Sequence, residues 1–277
     1  MELIPLVLAT VTVLAQVTYP LLSGRALVAI TIATVLLFCA TSLVHAALTA
    51  GPRTALIVLA VAGGLGLVAE AVGTATGFPF GPYEYSGTLG PSVLEVPVVI
   101  PLAWTMMAWP MLLLGRRLSA ALLPEGARSG GGWGGPVRAG VTALLGGLGL
   151  ASWDLYLDPQ MVQAGHWVFA RPEPGLPGVP GIPLTNYAGW ALVAVLMVAL
   201  LDAVVPQQKI DERVPAFMLA WTWLGSGLAN VAFFGRPEVA AYGLVGMGLL
   251  VGPYLLLHRS ARARDRTRRP ARSTAPA

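Results

Sequence analysis

The sequence predicts an all-α integral membrane protein, a polytopic bundle of about eight transmembrane helices, or seven if the first pair is shallow. Three observations carry this prediction. The 277 residues are 56% hydrophobic and only 11% charged, with mean hydropathy +0.71, whereas a water-soluble domain carries roughly 25% charged residues. Apolar runs of the length that crosses hydrocarbon, roughly 17–25 residues, recur along the whole chain. Lys and Arg gather in alternate connections, as they do in cytoplasmic loops.

The runs fall at 3–22, 26–48, 54–73, 96–114, 137–156, 187–205, 215–234 and 238–257. The first lacks the basic start and small-residue cleavage site of a signal peptide and is expected to be retained. The second contains Cys39, the single cysteine; it reads as a small core residue, and no intramolecular disulfide or Cys-based metal site can be built from it. The third closes on Glu70. The fifth is rich in glycine (Gly140, Gly146, Gly147, Gly149), which suits close helix–helix approach, and it leads into Asp154 and Asp158. The sixth opens on Asn186, Tyr187 and Trp190, with Thr185 or Asn186 as the expected helix cap. Trp190 is either an interfacial aromatic or part of a pocket.

Placing the basic C-terminal run inside the cell also places Arg53, Arg116, Arg117, Arg128, Arg138, Lys209 and Arg213 inside, leaving Arg25, Arg171 and Arg236 outside. The expected location is therefore the cell membrane, multi-pass, with both termini cytoplasmic. The chain divides into one transmembrane domain, 1–258, and a disordered basic tail, 259–277. The tail holds seven arginines between Arg259 and Arg272. It lacks aromatic residues to stack bases and directly follows a span, so membrane lipid is its expected partner and nucleic acid is not. The glycine-rich stretch 129–136 reads as a flexible cytoplasmic linker; it lacks the Lys-Ser/Thr of a phosphate-binding loop.

The same topology sends two long connections outside, 74–95, without Lys or Arg, and 157–186, rich in Pro and Gly. Their aromatic residues, among them Phe78, Phe80, Trp167 and Phe169, argue against disorder. Ordered caps dipping into the bundle are expected.

Acidic and aromatic residues cluster at this outer edge, where an ionised carboxylate is costly and calls for a reason. Glu70 shares a helix face with Gly73, Thr74 and Gly77. It is either an interfacial, hydrogen-bonded glutamate or a proton-holding carboxyl in a dry site. Asp154 and Asp158 are four apart and stack on one helix face, although Pro159 pushes Asp158 toward an extended conformation. An Asp-x-x-x-Asp spacing suits a divalent metal, a structural cap, or a proton-transfer and substrate-orienting site. Tyr83, Glu84, Tyr85, Glu95 and Asn230 complete the polar set on that side. His45 and His258 lie toward the opposite ends of their spans and read as structural, and His166 is a candidate proton carrier on the outer connection.

Four segments together resemble the membrane carotenoid biosynthesis family. They are Glu70 to Tyr85 (Glu-x-x-Gly-Thr-x-Thr-Gly-x-Pro-Phe-Gly-x-Tyr-x-Tyr), Val96 to Trp104 (Val-Pro-Val-Val-Ile-Pro-Leu-Ala-Trp), Trp153 to Met161 (Trp-Asp-Leu-x-Leu-Asp-Pro-Gln-Met) and Gly181 to Trp190 (Gly-Ile-Pro-Leu-Thr-Asn-Tyr-x-Gly-Trp). That family includes carotenoid 1',2'-hydratases of the gamma-carotene type and bisanhydrobacterioruberin hydratases. The likeness runs from about residue 60 to 235. It implies water addition across the terminal double bond of an acyclic (psi) carotenoid end group, with no redox cofactor and no metal. The implied substrate is lycopene, gamma-carotene or a fifty-carbon bacterioruberin precursor.

Such hydration needs a proton donor in a dry site, aromatic faces for the tertiary cation, and a carboxylate to orient water. Asp154 or Glu70 is the expected acid, with Asp154 ranked ahead, and Asp158 is expected to position water. Trp153, Tyr156, Tyr83 and Trp190 are expected to line the cation site, with Tyr85, Trp104 and Asn186 completing the substrate-binding set. Two other functions compete. A magnesium-dependent intramembrane prenyltransferase would need a second Asp-rich motif and more outer cations. A carotenoid or lipid carrier would be expected to show paired broken helices in repeated halves.

Overall fold

The computed structural model describes residues 3–124 and 134–268, with side chains described to residue 261. Among the described residues there are eight helical rods. They are α1 (Leu3–Thr18), α2 (Gly24–Ala50), α3 (Pro52–Val58) running through a π-helical turn (Leu59–Gly63) into α4 (Gly64–Thr76), α5 (Val99–Leu122), α6 (Gly134–Gln163), α7 (Leu184–Val204), α8 (Arg213–Ala232) and α9 (Pro237–Arg268). Seven rods are long and apolar enough to cross a membrane. The remaining one, α8, spans 20 residues, about 30 Å, but carries Thr222, Ser226 and Asn230. Large apolar side chains such as Leu56, Leu196, Leu228 and Leu249 stay exposed. Lipid is the medium in which such a surface is at rest.

The central post is α5, whose side chains are all buried from Ala103 to Gly115, as expected of a helix that is apolar on every face. It packs on α2 and α6, and α6 packs in turn on α7. Gly147 makes the last contact possible: a Cβ there would lie 2.5 Å from the Val195 Cα, so the glycine-rich stretch serves close approach as expected.

Partly buried ion pairs hold one end of the bundle. Arg116 Nε donates to Asp202 Oδ1 at 2.6 Å, Arg138 approaches Asp202 Oδ2 at 3.4 Å, and Arg117 Nε donates to Glu212 Oε2 at 2.6 Å. His45 is structural there, accepting from Trp109 Nε1 at 3.0 Å through Nδ1 and meeting the Asp211 carbonyl at 2.8 Å through Nε2.

The other end carries an ordered cap. Strand β1 (Tyr83–Tyr85) pairs antiparallel with β4 (Trp167–Phe169), with Glu84 opposite Val168, and a short hairpin joins β2 (Ser92–Val93) to β3 (Val96–Pro97).

Two expectations need revision. Pro159 does not release Asp158 from helical geometry, because α6 continues to Gln163. A proline removes one backbone donor, and neighbouring helices tolerate that loss in a membrane bundle. Helix α9 also passes residue 259, the expected start of a disordered tail, and runs to Arg268. Ala and Arg are good helix formers, so nothing in 259–268 stops it. Residues 269–277 lie outside the described residues, as does most of the expected linker at 129–136.

Candidate active site

The site is assembled where α4, α5, α6 and α7 meet the cap. Glu70 stands in the last two turns of α4, Trp104 in the second turn of α5, Asp154 and Asp158 in the last three turns of α6, and Asn186 and Trp190 at the start of α7. All four carboxyl-site residues are buried: Asp154 is 0% exposed, Asp158 2%, Asn186 2% and Glu70 5%. Burial on this scale is costly for a polar group unless it is hydrogen-bonded.

Glu70 meets that demand with three donors. Its Oε2 accepts from the hydroxyls of Tyr83 and, at 2.7 Å, Tyr85, while Oε1 accepts from Trp104 Nε1 at 2.9 Å. Burial, followed by the adjacent Glu70 charge, raises both tyrosine hydroxyls well above the usual phenol range, so both remain donors. Close approach of the cap depends on Gly73: a Cβ there would lie 2.9 Å from the Tyr83 hydroxyl and 2.9 Å from Phe80 Cδ2. The glycine one turn above Glu70 is therefore the space into which the cap's tyrosine inserts.

The second cluster is a carboxyl pair joined by an amide. Asn186 Nδ2 donates to Asp154 Oδ2 at 2.9 Å and also to Asp158 Oδ2. An amide nitrogen has two hydrogens, which matches two facing acceptors. The two carboxyls also lie within hydrogen-bonding reach of each other. Asn186 is thus committed to this bridge, and Thr185 donates to the Phe80 carbonyl at 3.3 Å. Neither caps α7, whose first residue follows Pro183.

A cavity of about 50 Å³ lies between the clusters. That is more than the roughly 10–15 Å³ a cavity needs to hold a water molecule. Its wall includes Glu70, Asp158, Asn186, Tyr83, Tyr85, Trp104 and Trp190, with Thr31 and Val35 from α2. Trp104 stacks on Trp190 with ring centroids 3.9 Å apart and planes at 15°, and Trp153 meets Trp190 edge-on at 6.0 Å.

The fold therefore gathers most of the residues singled out from sequence, with distinctions among them. Glu70 and Asp158 face the cavity. Asp154 stands behind Asp158 and Asn186 and is not part of the wall, and Trp153 supports Trp190 from behind. Tyr156 is not brought to the site: its hydroxyl donates to the Trp223 carbonyl at 3.1 Å. Two residues along a helix from Asp154, it points about 200° away. Glu84 and Glu95 are exposed, and Asn230 donates to its own helix at Ser226. Met161, Trp167 and Phe169 line the cavity but were not among the expected site residues. The alternation of Trp167 and Phe169 about Val168 was the available signal, since a strand sends both to one face.

This is a polytopic membrane protein whose polar groups converge on a buried, aromatic-walled chamber at one end of the bundle. The family model described as "Carotenoid biosynthesis protein" matches residues 24–255, a span that includes every residue of the site, and the chain belongs to that family. Among curated proteins it is similar to a bisanhydrobacterioruberin hydratase of Haloarcula japonica, 30% identical over 193 residues, which is 65% of this chain and 58% of the relative. The alignment thus spans less than two thirds of that relative. No solved structure matches the chain.

Proposed function

We propose that the protein is a carotenoid hydratase, adding water across the terminal 1,2 double bond of an acyclic (psi) end group to give a tertiary alcohol. The observation that carries this reading is that Glu70 and Asp158 open into the same aromatic-walled cavity. Family membership and the name of the Haloarcula relative support the substrate class. Lycopene, gamma-carotene and a fifty-carbon bacterioruberin precursor all present the required end group.

Asp158 is the group placed to protonate the less substituted alkene carbon, with the proton shared between it and Asp154. The tertiary cation then faces Trp190, Trp104 and the tyrosines, whose ring faces attract positive charge. Glu70 is held by three donors and serves as the fixed counter-charge rather than the acid. Preorganised charge in a dry site is worth more than in water, because it needs no reorganisation during reaction. Asp154 belongs to the acid pair without touching the alkene. The arginine-rich end of the bundle is taken to face the cytoplasm, which puts the chamber at the outer leaflet.

Expression in a host that accumulates lycopene, with pigments read by mass spectrometry, tests this function. The expected product is heavier by one water, and Asp158→Asn is expected to lower conversion by about 10²–10⁴-fold, the usual worth of a general acid. Unaltered pigment from the wild type with all three substrates would remove the hydratase reading. Full conversion by Asp158→Asn would remove the acid assignment.

A further inference from the structure

The cavity of about 50 Å³ is far too small for a whole carotenoid. An extended acyclic carotenoid is comparable in length with the roughly 30 Å of bilayer hydrocarbon, so most of the chain lies outside the chamber when its end group is inside. The cavity is not sealed, and its own wall shows where it opens. Most of the wall is buried, Trp104 and Trp190 included. Val35 on α2, Tyr85 on β1, Ile100 on α5 and Leu157 on α6 are the wall residues that keep partial exposure. Helix α2 packs on α1, α3 and α5, and α6 packs on α5, α7, α8 and α9. The neighbour they share is α5, and Ile100 stands in its first turn.

The chemistry of this opening is that of hydrocarbon. Val35, Ile100 and Leu157 are aliphatic and belong to helices long and apolar enough to cross a membrane. Val35 stands 11 residues beyond Gly24, the start of α2, or about 16 Å along its axis. Leu157 stands 6 residues before Gln163, the end of α6, or about 9 Å. The opening therefore lies below the helix ends, at a depth that lipid tails occupy. Thr31, one turn before Val35, donates its hydroxyl to the Leu27 carbonyl at 2.7 Å, which leaves its methyl group for the wall. On the carotenoid reading above, we propose that Val35, Ile100 and Leu157 frame a lateral mouth through which the acyclic end group enters from the lipid. The rest of the polyene stays in hydrocarbon between α2 and α6, with Tyr85 at the edge of the cap beside it. Recognition is then confined to the end group, and the far end of the chain, acyclic or ringed, lies beyond the protein.

The test places single cysteines in the chain, reconstitutes it in phosphatidylcholine vesicles and follows labelling by a membrane-soluble maleimide. The native Cys39 is buried, and the wild type supplies its background rate. Val35→Cys and Leu157→Cys are each expected to react without pigment, and to react about tenfold more slowly with lycopene at about ten times its dissociation constant. Val72→Cys on α4 and Leu249→Cys on α9, both at exposed positions, are expected to react at one rate with and without lycopene. Unreactive cysteines at both mouth positions would show a closed wall. Labelling there that lycopene does not slow would place the polyene elsewhere, and equal protection at all four positions would reduce the effect to partitioning into lipid; each of these overturns the proposal. A wild type that forms no alcohol while the mouth positions are still protected sinks the hydratase reading and leaves the mouth standing. If neither mouth variant accumulates, an experimental structure of the wild type with lycopene bound decides. The chain is expected to pass between Val35 and Leu157, and an exit between any other pair of helices refutes the proposal.

Discussion

Replacing Glu70 separates what its oxygens accept from what its charge does. In Glu70→Ala three buried donors lose their acceptor at once. Tyr83 retains a fallback, because its hydroxyl already lies 3.4 Å from the Glu70 carbonyl. Tyr85 and the Trp104 indole donate to Glu70 alone among the described residues. At about 1–3 kcal/mol for each stranded buried donor, the substitution should cost about 2–6 kcal/mol. Glu70→Gln behaves differently. Its amide oxygen can face the Trp104 N–H, which cannot turn, while its NH₂ group faces two tyrosine hydroxyls that can rotate to accept. The expected cost is then only about 1–2 kcal/mol, near that of one weakened bond. Conversion should nevertheless drop strongly, because the counter-charge to the cation is gone. Sodium dodecyl sulfate titration of protein in mixed micelles, with lycopene conversion measured on the same samples, reads both quantities. Equal stability of the Ala and Gln variants would refute the hydrogen-bond reasoning, and wild-type conversion by Glu70→Gln would refute the counter-charge role.

Three further outcomes follow from the same contacts. Gly73→Ala should loosen the cap and cost about 1–3 kcal/mol, the usual penalty for overpacking, visible as faster amide exchange at residues 83–85; unchanged exchange would contradict the close-approach account. Arg116→Met leaves Asp202 with Arg138 at 3.4 Å and Gln207 as its remaining partners. The cost should lie near the lower end of the about 3–5 kcal/mol lost when a buried pair is broken, and a stability within about 0.5 kcal/mol of wild type, the scatter typical of surface substitutions, would show the pair to be immaterial. His166 is lowered below its ordinary pKa of 6.5 by burial, so the folded cap binds the proton less readily than the unfolded segment. Its stabilising contribution is complete above pH 6.5 and is lost as pH falls through that value toward the depressed folded value. Protease resistance of the cap should therefore decline on acidification below about pH 6.5 and decline less in His166→Gln; identical profiles would exclude His166 as the titrating group.

The helical rods were legible because hydrocarbon leaves a chain few choices: long apolar runs must satisfy their own backbone, and a helix does so locally. The same physics made Glu70, Asp154 and Asp158 conspicuous, since carboxyls in such runs need a compensating environment. Sequence spacing could not say which partners provide it. Tyr83 lies 13 residues from Glu70, Trp104 lies 34 away, and Asn186 lies 28 from Asp158; such separations close only through tertiary packing. The strand pairing of Tyr83–Tyr85 with Trp167–Phe169 was equally hidden, because each partner is three residues long and too short for a period to register.

The difference between Asp154 and Asp158 shows where local information ends. Both sit on one face of α6, and the sequence alone ranks Asp154 ahead as the acid. Packing of α7 sets them apart: Asn186 bridges both carboxyls, and Asp158, but not Asp154, lines the cavity. The amino-acid sequence by itself determined a membrane bundle with acidic and aromatic groups at one rim, because burial costs are read residue by residue. Only the tertiary structure decided which carboxyl meets the cavity, because that depends on the rotation and depth at which separate helices pack.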